Sequence, residues 1–118
     1  MKNPSKKTLR KKCDTFCSQL CRRTGKCERC SNTETLQWCH FISRAVIRLR
    51  YEPLNFACLC YRCHNWGHQH PRALADFWDK LKGMGTTRKL ERMANDNLEP
   101  ITIQWYQKIF KTLNELLP

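Results

Sequence analysis

Residues 58–70 read Cys58-Leu59-Cys60-Tyr61-Arg62-Cys63-His64-Asn65-Trp66-Gly67-His68-Gln69-His70, and the reading of this stretch decides the fold. Cys60 and Cys63 form a C-x-x-C pair, the span of a tight knuckle that grips one metal ion through both thiolates. A second pair, Cys27-Glu28-Arg29-Cys30, lies upstream, with residues 31–59 between the two. That is enough chain for a hairpin that returns the second pair to the first. Four thiolates satisfy tetrahedral Zn²⁺ and leave no open position, so the expected site (Cys27, Cys30, Cys60 and Cys63) is a structural staple. Cys58 offers another register, but only Cys60 makes a C-x-x-C with Cys63. Cys58 is therefore expected on a strand as a core residue.

The histidines follow directly. His64 and His68 stand four residues apart and share one face of a helix whose start is fixed by the knuckle. His40 lies between the two cysteine pairs, on a strand that the staple would hold against that helix. His40, His64 and His68 are thus expected to converge, with His64 and His68 as ligands of a catalytic ion. Such a set suits phosphodiester hydrolysis. A neutral imidazole is a good general base near pH 7, and a divalent cation supplies charge and steadies the leaving oxygen. Asn55 is expected to hold the loop that carries the base through side-chain to backbone hydrogen bonds. Arg44, Arg48 and Arg50 are candidate phosphate contacts. His70 precedes Pro71, which takes it off the His64 face; it reads as a third ligand, a phosphate contact or a surface residue.

Working outward, residues 1–7 read as a disordered basic lead-in. Leu9, Cys13, Phe16, Cys17, Leu20 and Cys21 follow the 3.6-residue period, predicting a helix over 8–25 ended by Gly25. Its three cysteines read as small buried hydrophobes, because thiols spaced i, i+4 on a straight helix cannot surround a tetrahedral ion. Strands are predicted over 36–42 and 55–59, with a basic loop or short helix at 43–53 between them. A short helix starts near Tyr61, and Pro71 interrupts or restarts it. Helices are predicted over 72–82 and, capped by Thr86, to about Ala94. Pro100 and Thr102 introduce a last helix that buries Ile103, Tyr106, Phe110, Leu113 and Leu117. Trp66, Phe77, Trp78, Trp105 and Tyr106 are read as core in preference to base-stacking groups.

The chain has 118 residues, 22 Lys and Arg against 10 Asp and Glu, and a net charge of +12. Its length suits one domain over 1–118, and its charge points to a polyanionic partner, nucleic acid first. Nine cysteines, an odd number with two C-x-x-C pairs, read as reduced metal ligands and core residues rather than a disulfide scaffold. No apolar run reaches the ~20 residues of a membrane span, and no signal-peptide core follows the N-terminus. An intracellular protein without a membrane partner is expected.

Cys27-Cys30, Cys39-His40, Leu54-Asn55 and Leu59-Cys60-Tyr61-Arg62-Cys63-His64, in that order, resemble the HNH endonucleases. His40-Phe41-Ile42-Ser43-Arg44 with Cys63-His64-Asn65-Trp66-Gly67-His68 is similar to small phage and prophage members, some of them recombination endonucleases. The resemblance covers about residues 20–82. It implies an α+β ββα-metal core with a four-cysteine zinc site over 26–82 and C-terminal helices over 83–118. It implies a deoxyribonuclease with His40 as general base, Asn55 orienting the base loop, and His64 and His68 on the catalytic ion. Many members carry a metal-binding Asp where this chain has Cys39, which reads as packing. The ion would then rest on imidazoles, which suit Mn²⁺, Ni²⁺ or Zn²⁺ more readily than Mg²⁺. The partner implied is DNA. One site nicks one strand, so the protein would act as a monomer, or as a homodimer for a double-strand cut. A zinc ribbon that binds nucleic acid without cutting is the alternative.

Overall fold

The computed structural model describes residues 4–96 and 99–116. Its elements are α1 (Lys6–Cys21), β1 (Leu36–His40), α2 (Ile47–Arg50), β2 (Phe56–Cys60), α3 (Tyr61–Gln69), α4 (Pro71–Lys82), α5 (Thr86–Asn95) and α6 (Ile103–Leu116). Tight 3-10 turns occupy Arg22–Thr24 and Pro53–Asn55. The fold is α+β, helices around a two-stranded antiparallel sheet.

Leu9, Cys13, Cys17 and Cys21 form the buried stripe of α1, and it packs with Trp105, Tyr106 and Leu113 of α6, as the period requires. The helix starts earlier than expected. The Ser5 hydroxyl accepts the Thr8 N–H at 3.2 Å, a side-chain cap that makes Lys6 and Lys7 helical instead of disordered. Residues 1–3 lie outside the described residues. Gly25, at φ 71°, turns the chain in the left-handed conformation that ends this helical segment.

β1 and β2 pair in the register Leu36↔Cys60, Gln37↔Leu59, Trp38↔Cys58, Cys39↔Ala57 and His40↔Phe56. Opposed residues share a face. Trp38, Phe56 and Cys58 therefore look into the core built with α1 and α6. Cys39 and Leu59 look the other way, into the cysteine cluster, and Ala57 meets Trp78 and Leu90. The hairpin is a wall between cores. β1 stops at His40, short of the predicted Ile42, because Asn55 captures the next two amides: Phe41 N–H donates to the Asn55 carbonyl at 3.0 Å and Ile42 N–H to its Oδ1 at 2.7 Å.

Pro71 restarts the chain as the first residue of α4. Trp78 of α4 is fully buried, and its indole N–H donates to the Leu54 carbonyl at 2.8 Å. The expected Thr86 cap is replaced. Gly85 occupies the cap position of α5 at φ 86°, and Asp79, reaching from α4, accepts the Thr87 N–H at 2.9 Å and the Thr87 hydroxyl at 3.2 Å. Thr102 does cap α6, accepting the Trp105 N–H at 3.1 Å. The buried side of α6 centres on Trp105, Tyr106 and Leu113, with Ile103 and Phe110 half-buried; Leu117 is outside the described residues. Among the described residues no helix is long and apolar enough to cross a membrane.

Candidate functional site

Cys27 and Cys30 sit on the turn before β1, while Cys60 and Cys63 bracket the start of α3. Their sulfur atoms all lie within 4.8 Å of one another. The four cysteines are thus placed to hold one metal ion, and an all-thiolate set is compatible with structural zinc. Two reciprocal bonds tie the first knuckle to β2: Glu28 N–H donates to the Cys58 carbonyl at 2.8 Å, and Cys58 N–H to Glu28 Oε2 at 2.6 Å. Arg29 lends charge support, with its amide 3.4 Å from Cys27 Sγ and its Nη1 3.4 Å from Cys63 Sγ. Burial opposes ionisation of Cys27 and Cys60, but hydrogen bonds from backbone amides and neighbouring cysteine thiols outweigh it and hold both below their ordinary value, Cys60 at about 6.

Cys63, in the same cluster, is instead pushed up to about 12 by burial, and the cysteines outside the cluster are raised too. Burial pushes Cys13 up to about 11 and Cys17 and Cys39 up to about 12, so at neutral pH these are thiols, not thiolates. Cys58 is fully buried in the core of α1 and α6, and its thiol is raised by burial as well. None of the nine cysteines is in a disulfide.

His40 ends β1 on the Trp38 face, its ring 4.4 Å from the Trp38 ring. Its Nε2 lies 2.9 Å from the Arg50 carbonyl. A carbonyl only accepts, so Nε2 carries the proton and Nδ1 is left as a lone pair. Burial, helped by Arg44 and Arg50, pulls this imidazole down to about 4; it is neutral at pH 7. Asn55 is fully buried. Besides holding Ile42 N–H, its Nδ2 donates to the carbonyls of Ile42 at 3.1 Å and Leu49 at 3.0 Å. One side chain thereby ties both ends of the loop that runs from the imidazole to its carbonyl partner.

His64 and His68 stack on one face of α3 with ring centroids 4.8 Å apart. His64 Nδ1 donates to Gln37 Oε1 at 2.5 Å, which leaves its Nε2 for a ligand in the way that partners of metal-bound imidazoles do. Gln37 and His40 occupy alternate faces of β1. Among the described residues the four cysteines are the one group of three or more His, Cys, Asp or Glu side chains gathered for an ion. His40 is not part of such a group, and His64 faces a cleft that Trp38, the ring beside His40, also lines. His70 bonds the Trp66 carbonyl through Nδ1 at 3.0 Å and stacks on Trp66, at the junction of α3 and α4.

His64 opens into a cleft of about 490 Å³ lined by Ser18, Arg22, Leu36, Gln37, Trp38 and Arg44. Arg44 is exposed, and its guanidinium lies 5.7 Å from the Trp38 ring. Arg48 lies elsewhere, in a cleft with Met93, Asp96, Glu99 and Trp105. Arg50 is corrected from phosphate contact to structural tie. It is buried, and its Nε and Nη2 donate to the two oxygens of Asp14 at 2.8 and 2.7 Å. Trp78, Trp105 and Tyr106 are core, while Trp66 carries the Arg29 guanidinium 3.5 Å above its ring.

Sequence reasoning missed Arg22, Gln37 and Asp14. Gln37 is signalled only by its alternation with the buried Cys39. Asp14 is the one acidic residue among residues 1–27, and on a buried helix flank that singularity is itself a signal. Comparison of the chain with protein-family models, curated proteins and solved structures returns no match.

Proposed function

We propose that β1, β2 and α3 are the ββα-metal core of an HNH-type nuclease that hydrolyses DNA phosphodiester bonds. One observation carries the reading: a half-buried, neutral imidazole whose Nε2 proton is fixed on the Arg50 carbonyl, across a loop that the fully buried Asn55 ties at both ends. An imidazole held in one tautomer with a bare Nδ1 is the state a general base requires. That nitrogen is suited to take a proton from the attacking water. Asn55 keeps the imidazole and its carbonyl in register. Arg22 and Arg44, on either side of the cleft, favour the phosphate backbone. His64 and His68 are the residues that would hold a divalent ion, with Gln37 fixing the His64 tautomer. Such an ion, when bound, supplies positive charge to the phosphate and the leaving oxygen. Two imidazoles are a partial ligand set, with Cys39 buried as a thiol, and the remaining positions would fall to water and phosphate oxygens.

A second reading is favoured by one fact: four cysteines gather for an ion, while among the described residues no third His, Cys, Asp or Glu joins His64 and His68. It makes the chain a zinc ribbon that binds nucleic acid without cutting it. Incubating supercoiled plasmid with the protein and Mn²⁺, Ni²⁺, Zn²⁺ or Mg²⁺ in turn separates the two. Open-circle product with at least one ion supports the nuclease; retarded but uncut plasmid with all four supports the ribbon.

A further inference from the structure

Asp14 is a half-buried carboxylate on α1, outside the hairpin and α3. It makes three strong contacts, all to two consecutive residues. Oδ1 accepts from Arg50 Nε at 2.8 Å and from the Tyr51 hydroxyl at 2.8 Å, and Oδ2 accepts from Arg50 Nη2 at 2.7 Å. Arg50 Nη1 reaches on to the Arg44 carbonyl at 3.3 Å. The peptide group between Arg50 and Tyr51 carries the oxygen that receives the His40 Nε2 proton at 2.9 Å. The carboxylate therefore grips the side chains on both sides of the one peptide that orients His40.

We infer that Asp14 is a positioning residue for His40, a carboxylate in the second layer that fixes the imidazole's tautomer by locking the Arg50–Tyr51 peptide. Its role as an aid to DNA cutting rests on the nuclease reading above; its hold on the tautomer does not. The geometry supports this over a purely structural ion pair. A bidentate fork fixes direction as well as distance, and the Tyr51 hydroxyl removes the remaining freedom to rotate. Partners that fix a ring through its second nitrogen are the usual way in which an imidazole is kept in one tautomer. The arrangement also gives α1 a task beyond covering the hairpin, since it delivers the anchor from outside the cysteine-stapled unit.

The test reads the imidazole directly. Long-range ¹H–¹⁵N spectra of the zinc-loaded protein, with His40 assigned from a His40→Gln variant, should show His40 as a single Nε2–H tautomer. In Asp14→Asn, with zinc content and circular dichroism unchanged, His40 should become a mixture of tautomers, and plasmid nicking should lose roughly 10- to 100-fold in kcat with KM for DNA nearly unchanged. Arg50→Lys keeps the charge but not the fork and should show the same change, and Tyr51→Phe a smaller one. These two decide the matter where Asp14→Asn does not fold. A His40 that stays wholly Nε2–H, with kcat unchanged, in the folded variants overturns the inference. A tautomer change in a protein that never cuts DNA upholds the positioning role and refutes the nuclease reading instead.

Discussion

The molecule holds four clustered cysteines and a set of three histidines, and the two sets are built differently. The four cysteines come from two tight turns and meet with all sulfur atoms within 4.8 Å. The histidines come from a strand and a helix: His64 reaches Gln37, while His40 turns to Trp38 and the Arg50 carbonyl. The cysteine set is closed, complete and local. The histidine set is open, and its order comes from second-layer partners: Gln37, Asn55 and Asp14. A closed thiolate cage fits stability, and an imidazole held in one protonation state with a free nitrogen fits chemistry.

The sharpest break in this comparison removes the cage. Chelating the metal, or replacing Cys60 by Ser, should abolish the cooperative thermal transition, because apparent zinc energies of ~10–16 kcal/mol match or exceed the whole stability of a typical domain. A melt that survives chelation with its midpoint intact would make the cluster dispensable. Next comes Asn55→Ala. It leaves the Ile42 N–H and the Leu49 carbonyl unpaired in a buried place and should cost about 2–4 kcal/mol, read as a lower denaturant midpoint with an unchanged slope. The smallest effect is that of His40 itself on acid stability. Its pKa is lowered on folding from 6.5 to about 4, so between those values the unfolded chain binds more protons. The contribution is fully present above pH 6.5 and is lost as pH falls toward 4, by at most about 3 kcal/mol. Comparing wild type with His40→Gln at pH 7 and pH 4.5 should show the wild type losing more; equal losses would mean the imidazole is not held neutral.

The cysteine cage was legible from residue spacing, since each C-x-x-C is its own turn and the hairpin between them has little freedom. The helices were legible from periodicity, and Pro71 and Thr102 marked the starts of α4 and α6. Legibility ended where a bond spans distant elements. Arg50 reads as one more cation in a basic loop; its partner Asp14 lies on another helix, and nothing local announces the pair. Asp79 replacing Thr86 at the start of α5 is a smaller instance. The surroundings of His40 were hidden for a related reason. Which face His40 takes depends on the strand register, and that register is fixed by burying Trp38, Phe56 and Cys58 against α1 and α6, not by the histidines.

The proposed role of His40, held neutral with a bare Nδ1, is that of the base of a DNA-cutting site. Its most direct test is plasmid nicking by wild type and by His40→Ala, each shown to be folded and zinc-loaded, at pH 7 with each divalent ion in turn. The wild type should give open-circle product and the variant a roughly 10²- to 10⁴-fold lower rate. Equal cutting by both proteins would contradict that role.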